Sequence, residues 1–488
     1  MRRQNLILGS LLTLYFFLWS TLPTLLAPSF PLDVIEGINW GREWQLGYYK
    51  HPPLPSWLLV LSFQILGHIG PYLLSQLCII ATLVMVYQLG RHIVSPRKAL
   101  TGSLLLMAVF YYTWPTLEFN HNIAQLPIWA GICLTFYHAW DDDRRSAWIG
   151  FGICAGLGLL TKYSVTLLLI TLLLYSLVSK QRSRWLTLNP WLAITLMTLI
   201  FLPHLIWLAT HDWLPFTYAM GRSGEAESSG GRLNAFKFLG TQAVNHLILM
   251  IMILICGVYR YLRRPISLSH DEKMLVVMAF GPALLTTSLG LLFGIGLRDM
   301  WGTPMWNYSG IVLLLFIDDA DMVVLSKRLY TGLCVFLILI TLVMILYTAS
   351  GARLTGKPGR MHWPQVAISL QAQQTWQSLS HCPLDAVGGQ YWLAGLITTD
   401  AKSQPSILIA PNAAFSPWMN AQRIESRGLL QVWRDGEHDE IPYLDQPNIA
   451  ALATAEGIWQ FAWPQNPERE PLIVHWRAYV PTDCRSFR

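Results

Sequence analysis

Charged residues are scarce in this chain: Asp, Glu, Lys and Arg make up 13% of its 488 residues, against 53% that are hydrophobic. A soluble globular domain carries about a quarter charged residues, so lipid must solvate much of this surface. Cysteine is also sparse. Of the seven, Cys78, Cys133, Cys154, Cys256 and Cys334 lie inside apolar runs, where a thiol serves as a small hydrophobe. No spacing suggests a zinc site, no glycine-rich loop has the pattern that cradles nucleotide phosphates, and there is no internal repeat or low-complexity tract. Neither a metal nor a cofactor is called for. The net charge of +6 is dispersed between apolar runs and forms no basic stripe, which argues against nucleic acid as a partner.

What is abundant is apolar sequence, with a mean hydropathy of +0.39. Crossing the hydrocarbon takes about 20 apolar residues in a helix. Arg2 and Arg3 precede an apolar run over 6–26 that ends in prolines without a small-residue cleavage site, so it reads as an uncleaved first helix. Further spans are expected near 71–90, 99–116, 122–140, 147–161, 163–179, 190–209, 236–258, 274–296, 304–317 and 329–348, about eleven in all. The apolar run 54–66 is short for a span and reads as an interfacial or re-entrant helix. With that choice Arg91, Arg97, Lys98, Arg144, Arg145, Lys180, Arg182, Arg184, Arg260, Arg263, Arg264, Lys327 and Arg328 share one side with the N-terminal arginines. The opposite short loops keep Arg42, Lys50, Lys162, Arg222, Arg232 and Arg298. The positive-inside rule then puts the N-terminus in the cytoplasm and everything after about residue 350 outside.

Past Gly351 the composition changes to short apolar segments punctuated by Pro, Gly and Asn, the pattern of a small α/β or α+β domain over 351–488. In this domain 387–396 reads as a strand, a glycine turn and a helix start. Cys382 and Cys484 are its two cysteines, and outside the membrane they suggest one disulfide. The architecture expected is therefore a membrane all-α bundle over 1–350, with an outward first loop at 28–70 and a C-terminal extracytoplasmic domain.

That first loop holds the densest chemistry. Residues 31–57 combine Asp33, Glu36, Arg42, Glu43, Lys50 and His51 with Trp40, Trp44, Tyr48, Tyr49, Trp57 and four prolines. Asp33 and Glu36, three apart, share a helix face, where a carboxylate serves as general base toward an acceptor. Lys50 and His51 suit a phosphate. The competing reading is a solvated outer loop with interfacial aromatics.

An acidic residue soon after the first helix, the Gly41-Arg42-Glu43 step, and Lys50 followed closely by Pro52, Pro53 and Trp57 resemble the GT-C superfamily of lipid-linked sugar transferases. The resemblance is closest to the protein O-mannosyltransferase branch and its bacterial relatives, including the enzyme that adds aminoarabinose to lipid A. It is strong in the first loop and weaker in the hydrophobic layout to about residue 320. It implies that Asp33 is the acceptor-activating aspartate and that Lys50 contacts the donor phosphate. The chain departs from the family in placing His51 between Lys50 and Pro52, and Val34 directly after Asp33, where Glu is common; this leaves Glu36 as a second candidate acid.

The next outward loop of the family usually carries another acid. Here 116–129 offers Glu118 with Asn120, His121 and Asn122 as substrate-binding candidates, or as a polar cluster that caps helices. Lys162 sits in a short outward turn and is a donor-phosphate candidate, with snorkelling to the headgroups as the alternative. Arg298, beside Trp301 and Trp306, suits phosphate in charge and shape, and Arg222 is a weaker candidate of the same kind. His204 and His246 lie on helices and read as packing residues.

The function implied is transfer of a sugar from a polyprenyl-phosphate donor to a glycolipid such as lipid A or its core, another glycan or a protein, by one inverting displacement. Asp33 acts as base, Lys50 with Lys162 or Arg298 holds the leaving phosphate, and Trp40, Trp44 and Tyr49 stack on sugar. The setting implied is a bacterial inner membrane, with membrane lipids as further partners. A transporter or flippase would keep ionisable residues near the middle of its spans, whereas here they gather at the ends. A non-catalytic envelope assembly partner that binds lipid-linked sugar through the same loop is the other alternative, and activity with and without Asp33 separates it from an enzyme.

Overall fold

The computed structural model describes residues 2–227, 231–262, 267–436 and 440–486. The chain divides into two compact units, one made of residues 1–20, 50–55 and 72–342, the other of 21–49, 56–71 and 343–488.

The first unit is helical. In the whole chain five helical stretches among the described residues are long and apolar enough to cross a membrane: Leu6–Leu26, Leu54–Ile93, Leu188–Thr210, His270–Phe293 and Met322–Thr355. The pair Gly231–Asn245 and Leu247–Ile255, bent by 49°, makes a sixth if it is one broken span, and Arg145–Thr161 and Val165–Val178 are shorter apolar helices. Helix is the expected solution, because hydrocarbon offers no partner to backbone N–H and C=O groups. Large apolar side chains such as Leu188, Ile255 and Leu284 point outward and are exposed, as lipid-facing residues should be. Inside, the Trp19 indole donates to Thr341 Oγ1 at 2.9 Å, tying the first long helix to the last.

Besides the bent pair that occupies 236–258, two further expected spans are not continuous helices. The run 99–116 is the helix Pro96–Leu105 followed by short 3-10 turns, and 304–317 is a 3-10 segment, Asp299–Trp306, followed by the seven-residue helix Ser309–Leu315. The two short helices pack closely on one another, and Leu104, Leu105, Ile311, Leu314 and Leu315 are buried. Their hydrophobicity serves the protein interior.

The second unit carries a five-stranded sheet of β1 (Ala386–Gly389), β2 (Ser406–Ile409), β3 (Leu429–Trp433), β4 (Ala453–Phe461) and β5 (Leu472–Tyr479) in the order β2-β1-β3-β5-β4. β1 pairs in parallel with β2 and β3, while β5 runs antiparallel to β3 and β4. The helix Tyr391–Asp400 connects β1 to β2 and starts with Gln390, whose side chain accepts from the Leu393 N–H. This is the strand, turn and helix start expected at 387–396. Cys382 and Cys484 are disulfide-bonded with their Cα atoms 5.4 Å apart.

Candidate functional site

The sequence-chosen residues fall into two groups, one in each unit. In the second unit Asp33 and Glu36 lie on the helix Leu32–Arg42, which follows Pro31 as N-cap and buries every residue from Val34 to Gly41. Asp33 occupies the first turn, where the helix dipole favours a negative charge. It is partly exposed, whereas Glu36 is buried.

Two surfaces hold this helix. One is the helix Leu54–Leu66: a Cβ on Gly41 would stand 2.3 Å from the Ser56 carbonyl oxygen, so the approach requires glycine, and Gly37 one turn earlier completes a small-residue ridge. The other is the helix Tyr391–Asp400, which runs alongside in the same direction. A Cβ on Gly395 would stand 2.5 Å from Ile35, and the Asn39 amide donates to Thr399 Oγ1 at 3.2 Å. Arg42 ends the contact by donating to the carbonyls of Thr398 and, at 2.8 Å, Thr399. These are carbonyls of the last helical turn, which lack partners within their helix and favour a cation. Burial lowers the Arg42 pKa to about 10 against the opposing pull of Asp400 and Glu43, so the guanidinium is charged at neutral pH. Arg42→Ala is expected to destabilise this unit by about 2 kcal/mol, since carbonyls lose their donor. The measurement is the thermal midpoint of the purified protein, and an unchanged midpoint removes the capping role.

At the start of the same contact Tyr391 faces the acids. Burial, then Glu36, Tyr49 and Asp33, push its phenol well above the usual range, so it remains a protonated donor. Nothing in the sequence marked Tyr391, because a lone Tyr after a Gly-Gly-Gln turn carries no pattern of its own. Among the aromatics expected to stack on sugar, Trp44 is 49% exposed. Trp40 is fully buried and stacks on Tyr48 at 5.2 Å, and Tyr49 is buried against Phe415 at 4.2 Å. Trp40 packs inside the loop and Tyr49 packs on Phe415 of the C-terminal segment.

The second group lies in the first unit, around the N-terminus of the helix His121–Asp142. Asn120 is its N-cap, accepting from the backbone N–H groups of Asn122 at 2.9 Å and Ile123 at 3.2 Å. Capping thus accounts for Asn120. Asn122 instead accepts from Lys162 Nζ at 2.5 Å. The His51 and His121 rings lie 4.1 Å apart, His121 Nε2 is 3.3 Å from the Pro52 carbonyl, and the Leu54 N–H donates to the Leu160 carbonyl at 3.1 Å. The Lys50-His51-Pro52 step is thereby brought against both the 121–142 helix and the turn that carries Lys162. Lys50 Nζ sits 5.8 Å from the centre of the Tyr218 ring.

Burial, then His121, Lys162 and Lys50, hold His51 well below its ordinary pKa. It is neutral at pH 7, leaving the two lysines as the positive pole. Glu118 lies near Tyr72 and is partly exposed.

Arg298 is partly exposed and precedes the Asp299–Trp306 segment. The Asp299 carbonyl accepts from Tyr111 Oη at 2.8 Å and from the Gln242 amide at 3.1 Å. Arg222 lies on the helix Leu214–Glu227, and its side chain is outside the described residues. The first unit also holds an apolar groove of about 880 Å³, lined by residues that include Leu239, His246, Met250, Phe280, Trp306 and Leu313.

Comparison with known proteins follows these two groups unequally. A family model described as dolichyl-phosphate-mannose-protein mannosyltransferase matches residues 50–207, a stretch that holds Lys50, the 118–122 cluster and Lys162 but stops short of Asp33. Among curated relatives, lipopolysaccharide core galacturonosyltransferase RgtA of Rhizobium johnstonii is 26% identical over 41% of this chain and 41% of its own. Lipid A galacturonosyltransferase RgtD of the same organism is 27% identical over 57% and 59%. The undecaprenyl phosphate-alpha-4-amino-4-deoxy-L-arabinose arabinosyl transferase of Pseudomonas savastanoi is 28% identical over 38% and 36%. The chain thus spans between about a third and three fifths of the relatives it matches. In structure it is similar to ArnT from Cupriavidus metallidurans bound to undecaprenyl phosphate, with TM-score 0.64, 13% identity and coverage of 98% and 99%. The apo form of the same protein gives TM-score 0.62 with both chains covered completely, again at 13% identity. The fold is therefore of the ArnT type, mostly helical with a small C-terminal sheet, and the likenesses support the GT-C superfamily resemblance drawn from the first loop.

Proposed function

We propose that this GT-C-type chain is a membrane glycosyltransferase that moves a sugar from a polyprenyl-phosphate donor to an envelope acceptor, lipid A or its core, another glycan or a protein. The observation that carries the reading is the pair of cations, Lys50 and Lys162, gathered around His51 and His121. Its residues fall inside the stretch matched by the mannosyltransferase family, and its chemistry suits a phosphate monoanion or dianion leaving group. The apolar groove of the first unit offers the kind of surface on which a polyprenyl tail is stabilised by burial.

Asp33 is the acceptor's base in this reading. The acceptor oxygen or nitrogen attacks the anomeric carbon, its proton passes to Asp33, and the bond from that carbon to the phosphate oxygen breaks with inversion. The electron pair leaves on polyprenyl phosphate, where Lys50 and Lys162 stabilise the growing charge. The first loop faces outward and the N-terminus inward, in keeping with the distribution of Lys and Arg; the C-terminal unit from residue 351 lies outside.

The test is transfer of label from radiolabelled polyprenyl-phosphate sugar to an envelope extract by purified protein, with mass spectrometry of the glycolipids and glycoproteins that gain mass. Absence of transfer to any acceptor overturns the proposal. Lys162→Met is expected to reduce transfer about 100-fold, on the scale of losing one charge-stabilising donor, with most of the loss in kcat. Asn122→Leu should act on the same step more weakly, because it leaves Lys162 in place but unheld. A Lys162→Met rate within two-fold of the parent removes Lys162 from the phosphate site.

A further inference from the structure

At the opposite end of the helix that leads to Lys162, the first unit contains a second polar cavity, of about 510 Å³. That helix, Arg145–Leu159, begins at the cavity and ends at the Lys162 turn, a rise of about 20 Å. The cavity is therefore separate from the positive pole described above. Three elements line it: Gln88, Arg91 and His92 from the end of the helix Gly70–Ile93, His138 from the last turns of His121–Asp142, and Arg144 and Ser146 from the start of Arg145–Leu159.

The charges there are unequal. Asp142 accepts from Arg144 at 2.9 Å and lies 3.0 Å from His138 Nδ1, so one carboxylate holds both on one side. Arg91 is exposed, with no hydrogen bond or ion pair among the described residues. Two arginines against one carboxylate leave a surplus of one positive charge, with two imidazoles beside it. The His92 ring stands edge-on to His138 at 4.7 Å.

This end of the bundle also carries tryptophans of the kind found at headgroup depth. Trp191 is 55% exposed and its ring lies 6.1 Å from that of the half-buried Trp185, whereas Trp140 and Trp148 are buried. A basic cavity between helix ends at that depth fits the phosphate of a lipid better than a soluble anion, because its ligand arrives already confined to the interface.

We propose that the cavity of Arg91, His92, His138 and Arg144 is a binding site for the phosphodiester headgroup of an anionic phospholipid. A phosphodiester carries one negative charge, which matches the surplus of the site. Arg91 supplies the unshared guanidinium, Arg144 a second one oriented by Asp142, and Gln88 and Ser146 offer neutral donors to the remaining oxygens. The proposal is independent of the sugar-transfer reading, since no residue of the cavity serves in that reaction.

Native mass spectrometry of the full chain released from nanodiscs tests it, with phosphatidylglycerol, phosphatidylcholine or inorganic phosphate as the probe. The wild type is expected to retain phosphatidylglycerol over phosphatidylcholine. Arg91→Gln and Arg144→Gln should each lower that occupancy about five-fold, on the scale of one basic residue at a membrane surface, while Arg260→Gln, at an exposed arginine elsewhere, leaves it unchanged. Equal retention of both lipids, or equal occupancy in all variants, overturns the proposal. Saturable binding of inorganic phosphate that is lost in both cavity variants, with lipid retention unaffected, overturns the lipid assignment and makes the cavity a free-phosphate site. The cavity variants carry changes at solvent-facing positions, and an unchanged thermal midpoint in zwitterionic lipid confirms that they are folded.

Discussion

Asp33→Asn is expected to lower sugar transfer by about two to four orders of magnitude, the usual contribution of a positioned general base. The substitution keeps the shape of the side chain and the helix Leu32–Arg42 around it, but an amide cannot take the acceptor's proton. Donor affinity should stay within about two-fold, because the donor phosphate is assigned to Lys50 and Lys162 and a loss confined to the transition state appears in kcat. Glu36→Gln distinguishes the two acids. Glu36 is buried beside Tyr391, so the amide is expected to disturb packing and stability more than chemistry. Initial rates of the purified variants with labelled donor decide the matter, and a wild-type rate in Asp33→Asn removes it as the base.

The second large effect is on stability. Cys382 and Cys484 close a loop with a sequence separation of 102, and in the chain-entropy view a loop of that size contributes about 4 to 5 kcal/mol by restricting the unfolded chain. Replacing both by Ser is expected to lower the thermal midpoint of the C-terminal unit by about 10 °C or more, with the first-unit helices retained. Each single replacement should do the same and in addition expose a reactive thiol. Protease resistance of residues 351–488 against temperature reads this directly. A double variant that melts within a degree or two of the parent shows that sheet packing alone holds the domain.

Much of the helical layout was legible because a run of about 20 apolar residues has few solutions outside a membrane. The two segments expected as single helices that are instead broken, 99–116 and 304–317, show where that argument stops. An apolar run records that a segment avoids water, and burial of Pro96–Leu105 against Ser309–Leu315 satisfies that as well as lipid does. The residues proposed for the site, Asp33 and Lys50, stand out by their loop, and Lys162 by its charge in an apolar setting. Asn120 carried two readings, and its hydrogen bonds to Asn122 and Ile123 make it a cap. Hidden from sequence were partners supplied by distant residues. Nothing near Arg42 announces that it closes the helix ending at Asp400, and the burial of Trp40 depends on Tyr48 and Tyr49 folding back on it.

The side-by-side contact of Leu32–Arg42 with Tyr391–Asp400 bears on inheritance as well as on mechanics. The interlocking features are Gly395 facing Ile35, Asn39 reaching Thr399, and Arg42 on the carbonyls of Thr398 and Thr399. A substitution on either helix is thus screened by selection against the other, although more than 340 positions of chain lie between them. Chimaeras that exchange only the C-terminal segment with a relative should express poorly, and those that carry residues 21–49 across with it should recover. Recombination within such a lineage would be expected to transmit the two segments together.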